Sequence, residues 1–305
     1  MDWLFEGDPA IRWQALRDLT GARPTAVERE RGRIAREGWG ARILVLQSPD
    51  GQWGGGIYTH KWTSTTYTML LLRSFGLPAA HPAARKACEL LLERGCYQDG
   101  GINFWTRTYR HSEACVTAMV LSIAAYFQTR DSRLESLLEH LLGRQMPDGG
   151  WNCRDRGGAT HASFHTTISV LEALRDYQNL KPRRAGALRE AQTHGREFLL
   201  EHRLFRSHRT GAVVNPALTR FAFPPRWHYD VLRALDYFRE CDAPRDPRLS
   251  EAVEIVRRKR RPDGRWLLQN RYPGKTFFEM EEIGQPSRWN TLRALRVLKW
   301  WDRAG

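Results

Sequence analysis

Four residues able to move protons stand where polar sequence gives way to apolar sequence. Glu113 immediately precedes ACVTAMVLSIAAYF, His165 sits at the head of FHTTISVLEALRDY, and His228 and Asp230 lie at the head of WHYDVLRALDYF. A carboxylic acid in a dry pocket has a raised pKa and stays protonated near neutrality, and an adjacent imidazolium sharpens its acidity. Glu113 and Asp230 are therefore candidate catalytic acids, with His165 or His228 as hydrogen-bonding partner. Metal chemistry competes for some of the same residues. The stretch QMPDGGWNCRDRGGATHASFHTTISVLEAL carries Cys153, His161 and His165 where a loop becomes an apolar helix. Sulfur and nitrogen donors of this kind suit tetrahedral zinc with one open position. Glu113, His228 or Asp230 could complete the set.

Further polar and aromatic groups gather at the same places. Lys61, Trp62, Ser64, Thr65, Thr66 and Tyr67 open one apolar stretch; Arg110, His111 and Cys115 flank Glu113; Ser163 and Thr166 flank His165. Arg226 and Trp227 precede His228, and Gln285, Arg288, Trp289 and Asn290 open the last stretch. Helix capping explains one Ser, Thr, Asp or Asn per helix, which covers Ser64, Ser112, Ser163 and Ser287. It does not require His, Glu, Arg and Trp beside each cap, so these are expected to form a functional rim.

Trp62, Tyr67, Trp105, Phe164, Trp227 and Trp289, with Tyr58, Phe104, Trp151 and Tyr229, are expected to wall a cavity. Aromatic faces can hold an apolar chain and stabilise a passing cation. Trp53, Trp151 and Trp266 belong to a recurring turn, where packing between repeats is the better account. Arg110, Arg226 and Arg288, with Lys61 and Arg107, could grip a diphosphate or carboxylate bidentately. The acidic run at Glu279, Glu281 and Glu282 reads as a solvated loop or as a lid over the site.

These groups need a frame, and the frame repeats. QSPDGQWGGG begins at Gln47, YQDGGINFW at Tyr97, QMPDGGWNC at Gln145 and RRPDGRWLL at Arg260. The turn aspartates Asp50, Asp99, Asp148 and Asp263 are spaced 49, 49 and 115 residues apart, so the last gap has room for a degenerate copy, found in HRTGAVVNPALTRFAF from His208 to Phe223. Self-similarity at a fixed period marks a repeat architecture. In each unit Pro-Asp-Gly makes a turn, Gly supplying the positive φ. A strongly apolar helix follows, then an amphipathic one such as DSRLESLLEHLLGRQ. Sustained period-two alternation is missing, so almost no β-sheet is expected. Upstream, GDPAIRWQALRDLTG reads as a helix with Asp8 as N-cap and Pro9 at its first position.

Composition bounds the class. A chain of 305 residues, 41% hydrophobic and 27% charged, should be globular. The net charge of +14 is spread along the chain, and its densest run, Arg257 to Arg261, falls at a helix end where cations are favourable. A nucleic-acid partner is not expected. Five cysteines without a CxxC pair are no disulfide framework. An acidic N-terminus without an apolar core is not a secretory signal, and the expected location is cytoplasmic. No phosphate-binding or dinucleotide fingerprint points to a nucleotide cofactor.

QSPDGQW and QMPDGGW resemble the QW-type repeats of squalene cyclases. The wider pattern, over roughly residues 40 to 302, is similar to the α/α toroid of terpenoid cyclases and protein prenyltransferase β-subunits. The resemblance implies an all-α fold, a barrel of about five or six helical hairpins with inner and outer rings. Residues 1–40 would join the ring and 41–305 would supply its repeats, as a single domain. It implies chemistry where the inner helices start, and an isoprenoid-processing enzyme, terpene-cyclase-like, with a hydrophobic substrate that could carry an anionic head group. A zinc-dependent prenyltransferase-like transferase is the alternative, and a non-catalytic lipid- or peptide-binding toroid a third. Zinc is thus the one cofactor implied; a partner subunit and peripheral membrane contact are also compatible. Two departures count. The cyclase D-x-D-D motif is absent, leaving Glu113 and Asp230 as substitutes. The transferase Asp-x-Cys pair is absent too, and Ser163 to His165 stands in its place.

Overall fold

The structure, a computed structural model, describes residues 2–303. In chain order its α-helices are α1 (Asp2–Phe5), α2 (Pro9–Ala15), α3 (Pro24–Gly32), α4 (Gly38–Leu44), α5 (Thr65–Phe75), α6 (Pro82–Gly95), α7 (Ala114–Tyr126), α8 (Arg133–Leu142), α9 (Phe164–Leu180), α10 (Ala185–Glu201), α11 (Val231–Glu240), α12 (Ser250–Arg258) and α13 (Arg288–Trp301). The strands among the described residues are β1 (Trp266–Leu267) and β2 (Pro286–Ser287), an antiparallel pair. The fold is all-α, as the patterning predicts. No described helix is long and apolar enough to cross a membrane.

The chain divides into two compact units. One comprises residues 1–45, 75–77 and 200–305, the other residues 46–74 and 78–199. In the second unit α7 packs along α9, and also against α6 and α8. Ala114 and every residue from Val116 to Ala125 are buried, as expected of a helix apolar on all faces. α8 buries a stripe, Leu134, Leu137, Leu138 and Leu141, at helical spacing. In the first unit α11 packs on α13 and on α12, and α13 also meets α2. α12 again buries one stripe, Ala252, Val253, Ile255 and Val256. Each unit therefore shows an enveloped helix next to an amphipathic one, the alternation read from the sequence.

The turn repeats in atomic detail. Gly51, Gly100, Gly149 and Gly264 have φ of +92°, +86°, +86° and +78°, the left-handed region that only glycine enters without strain. Ahead of each, the aspartate oxygen accepts a backbone N–H two residues on: Gln52 from Asp50, Gly101 from Asp99, Gly150 from Asp148 and Arg265 from Asp263. A threonine at the start of the following apolar helix then accepts the N–H of the residue after the turn. Trp53 donates to Thr65 Oγ1 (3.1 Å), Ile102 to Thr117 (2.9 Å), Trp151 to Thr167 (3.0 Å) and Trp266 to Thr291 (3.0 Å). The indoles of Trp151 and Trp266 donate to Leu141 O and Val256 O, capping the amphipathic helix before them. Trp53, Trp151 and Trp266 are fully buried, which confirms packing as their role. In the degenerate copy Gly211 still turns the chain at φ +70°, and Asp230 replaces the threonine, accepting from Ala222 N at 3.3 Å.

Capping follows the expectation in part. Asp8 caps α2 through Ala10 N with Pro9 behind it, and Ser287 caps α13 through Asn290 N. Ser163 occupies the cap position of α9 without a side-chain bond. Ser112 does not cap α7; Glu113 holds that position, and the Ser112 hydroxyl donates to Asp99 at 2.6 Å.

Each unit also encloses a carboxylate held by arginines. In the second, Asp176 of α9 accepts from Arg73 Nε (2.9 Å), Ser122 Oγ (2.7 Å) and Arg175 Nη2 (2.9 Å). In the first, Asp236 of α11 accepts from Arg296 Nε (2.7 Å), while Arg296 Nη1 reaches Gln14 Oε1 (2.9 Å).

Candidate active site

In the second unit the loop before α5 and the loop before α7 bring aromatic rings together. Tyr58 meets Tyr67, Phe104 and Trp105 at centroid distances of 5.2, 6.0 and 4.7 Å, and Trp62 meets Tyr67 edge-on at 4.8 Å. The Tyr58 and Tyr67 hydroxyls share a hydrogen bond of 2.7 Å. Thr66, one residue before Tyr67, fixes this end of α5 by donating to Ile57 O. Trp62, Tyr67 and Trp105, expected at a cavity wall, do come together, with Tyr58 and Phe104.

Glu113 borders this group. Burial raises its carboxyl pKa, and the nearby His111 only partly opposes the shift. Tyr58 is pushed up to about 12, first by burial; its bond to Tyr67 works against the rise, and the Glu113 charge adds to it. Among the described residues no hydrogen bond reaches the Glu113 carboxyl, whereas its backbone carbonyl accepts Thr117 N. Burial without a hydrogen-bond donor favours the neutral, proton-carrying form.

Other residues expected at the rim are placed differently. Phe164 packs against Phe198 of α10 at 5.5 Å. His165 is half-buried, its carbonyl accepting the Ser169 hydroxyl, and His161 is exposed. Arg107 and Arg110 are exposed. Cys153 does not stand as a metal thiolate: it forms a disulfide with Cys115, a pairing that the spacing of the five cysteines does not suggest. Among the described residues no group of three or more His, Cys, Asp and Glu is placed to hold a metal ion. Cys153, His161 and His165 therefore do not fit zinc, with or without Glu113, His228 or Asp230.

In the first unit His228 lies between two rings, Trp227 at 3.6 Å and Tyr272 at 3.5 Å. Asp230 is fully buried and caps α11, its oxygens accepting Arg233 N (2.8 Å) and Ala222 N (3.3 Å), with Arg293 at 3.9 Å. Burial raises its pKa against the pull of Arg293 and those two N–H groups. Both oxygens serve the backbone, which makes Asp230 a frame residue in place of the acid expected. Tyr229 donates to Leu204 O and is buried. Trp289 is stacked on Phe223 at 3.9 Å and near Phe75 and Trp39, at 2% exposure. Arg288 donates to Trp3 O and lies over the Trp3 ring, near Glu6, so it secures α1 instead of waiting for an anion. Arg226 is half-buried in a left-handed backbone conformation, φ +57°.

The acidic loop splits by residue. Glu279 pairs with Arg271, and Glu282 is exposed. Glu281 accepts from Ser287 Oγ (2.5 Å), Arg288 N (2.7 Å) and Trp289 N (3.2 Å) at the start of α13; burial raises its pKa against the pull of these bonds and of Arg288. Neither a plain solvated loop nor a lid describes it. Tyr272, Thr117, Thr167, Thr291 and the Cys115–Cys153 pairing escaped the sequence reading, as did the roles of Thr65 and Glu281, both named there for other reasons. The threonines had a signal, since each opens an apolar stretch after a Gly turn; the cysteines had none.

No protein-family model matches the chain, and no curated protein matches it significantly. Among solved structures, the crystal structure of a protein from Actinoplanes is 17% identical, over 97% of this chain and 91% of that one, with a TM-score of 0.48. The type II terpene cyclase MstE from Scytonema, in its apo form, is 17% identical over 95% and 86%, with a TM-score of 0.48. A variant of MstE in complex with its substrate, geranylgeranyl dihydroxybenzoate, is 16% identical over 95% and 85%, also at 0.48. Values this low carry no argument about a shared site or activity.

Proposed function

We propose that this chain is an isoprenoid-processing enzyme of the terpene-cyclase kind, in which Glu113 protonates an alkene beside the aromatic group of Tyr58, Trp62, Tyr67, Phe104 and Trp105. The observation that carries the reading is the Glu113 carboxyl, half-buried, without a hydrogen bond among the described residues, and near enough for its charge to act on Tyr58 of that group. In the first step the carboxyl O–H bond breaks and a C–H bond forms at the less substituted alkene carbon. The tertiary cation so made is attacked by the next double bond; the final cation loses a proton to water, and the Glu113 carboxylate regains one from solvent. Ring faces stabilise the cation through their quadrupole, each by about 0.5–2 kcal/mol. Exposed Arg107 and Arg110, in the loop before α7, are the cations available to an anionic head group.

A second reading is supported by a specific observation. Among the described residues no imidazole is hydrogen-bonded to the Glu113 carboxyl; the His111 charge lowers its pKa. An acid without such a partner suits a protein that holds an isoprenoid without turning it over. One experiment separates the two. The purified chain is incubated with polyprenyl diphosphates and prenylated aromatic acids, and products are analysed by mass spectrometry alongside binding by fluorescence quenching of the tryptophans. Cyclic product that disappears in Glu113→Gln supports the cyclase. Saturable quenching without product in either protein supports the binder.

A further inference from the structure

Cys115 and Cys153 lie 38 residues apart in sequence, yet their Cα atoms are 5.8 Å apart, within the range that a disulfide spans. Cys115 belongs to the first turn of α7, whose cap is Glu113. Cys153 belongs to the loop between the Trp151 turn and α9, and Thr166 Oγ1 contacts both its N–H (3.3 Å) and its sulfur (3.1 Å). Both cysteines are half-buried, so an exchanging thiol or disulfide can reach them. The other cysteines differ. Cys88 is buried, its thiol pushed up to about 12 by burial, and burial raises Cys96 as well. Among the described residues Cys115 and Cys153 are the cysteines whose sulfurs meet, while Cys88, Cys96 and Cys241 stand as free thiols.

We propose that Cys115 and Cys153 form a reversible dithiol–disulfide site, which fixes the loop of residues 152–163 to the Glu113 end of α7 when oxidised and releases it when reduced. The oxidant is a low-molecular-weight disulfide such as oxidised glutathione. One thiolate of the pair attacks it, its S–S bond breaks, and one glutathione leaves. The second thiolate attacks the mixed disulfide and expels the other glutathione. The two protein thiol protons end on the two glutathiones, so atoms and electrons balance. Without the covalent link the loop is held by weaker ties, the Arg144–Asp155 ion pair, Asn152 Nδ2 to His161 O (2.8 Å) and Ala162 N to Asp148 Oδ2 (2.7 Å). Arg154 and Arg156 are exposed within it, two sites for trypsin.

The consequence for turnover rests on the cyclase reading; the site itself does not, and its test needs no substrate. The full chain is equilibrated in glutathione buffers of graded poise, alkylated, and analysed by intact mass and non-reducing peptide mapping. Limited trypsin digestion runs in parallel. In oxidised buffer two thiols resist alkylation, one peptide pair joins Cys115 to Cys153, and cleavage after Arg154 and Arg156 is slowed about tenfold relative to reduced protein. Cys153→Ser cleaves at the reduced rate in both buffers. Five alkylated thiols in oxidised buffer, a link through Cys88, Cys96 or Cys241, or equal cleavage rates in the two buffers would each overturn the proposal. Failure of substrate turnover would leave these readouts intact and count only against the cyclase reading.

Discussion

Glu113 and Asp230 show how burial alone does not make a catalytic acid. Both have raised pKa values for the same first cause, burial. Asp230 spends its oxygens on two backbone N–H groups, whereas Glu113 has none among the described residues. Asp230→Asn is therefore expected to lower the melting temperature, and Glu113→Gln to leave it nearly unchanged while reducing turnover by about 10²–10⁴-fold, the usual worth of a general acid. The pH dependence has a definite sign. On the cyclase reading Glu113 must carry its proton to act, and burial holds that proton to a higher pH than the free side chain would. The kcat/KM of the cyclase is then full on the acid side and falls as pH rises through the raised value, a limb that Glu113→Gln should abolish. Stability follows the same sign: the contribution of a carboxyl raised by folding is complete below its unfolded pKa and is lost as pH rises through the folded one. At this scale the sequence was a partial guide. It named Glu113, Trp62, Tyr67 and Trp105 because position before an apolar helix is visible in one dimension. It misplaced Arg288, Phe164 and Asp230 because side-chain direction is decided by three-dimensional neighbours, Trp3 for Arg288, Phe198 for Phe164 and the returning loop at Ala222 for Asp230.

At the scale of elements, the turn and the threonine act together. The turn presents a buried N–H, and Thr65, Thr117, Thr167 or Thr291 accepts it. Replacing Thr291 with Val keeps the shape but leaves Trp266 N without its acceptor, which should cost about 1–3 kcal/mol in chemical denaturation. An equal loss is expected for Thr167→Val, while Thr193→Val on the exposed face of α10 should be neutral. The repeat turns were legible because Asp-Gly has a specific backbone requirement, met four times here. Helix class was legible from burial periodicity. The β1–β2 pair was not, since two residues per strand give no alternation to read. Nor was the role of Glu281, whose recognition needs the loop's return onto the start of α13.

At the scale of the molecule, each compact unit is built round a carboxylate among arginines. Removing Asp236 takes from the buried Arg296 its closest counter-charge and leaves it Asp18 at 3.3 Å and Glu240 at 3.9 Å. Asp236→Leu should therefore destabilise by about 3–5 kcal/mol, and Asp236→Leu with Arg296→Met should recover much of that loss. Calorimetry on the two variants checks both statements; equal melting temperatures would show that Asp18 and Glu240 hold the Arg296 charge unaided. The same scale decides the metal question. With no set of three ligands among the described residues, the purified chain is expected to contain far less than one zinc per molecule by elemental analysis, and chelators should leave its melting temperature unchanged.

The hydroxyl that closes each turn spans a different distance each time: 12 residues from Trp53 to Thr65, 15 from Ile102 to Thr117, 16 from Trp151 to Thr167 and 25 from Trp266 to Thr291. The anchor points stay the same while the chain between them lengthens and changes composition. Such segments are natural graft sites. A stretch inserted between the residue after the turn and the threonine leaves both anchors intact, and each doubling of its length adds only about 0.6 kcal/mol of closure entropy. Diversity around the aromatic group can thus be introduced in the two segments that carry it, from Trp53 to Thr65 and from Ile102 to Thr117, one at a time.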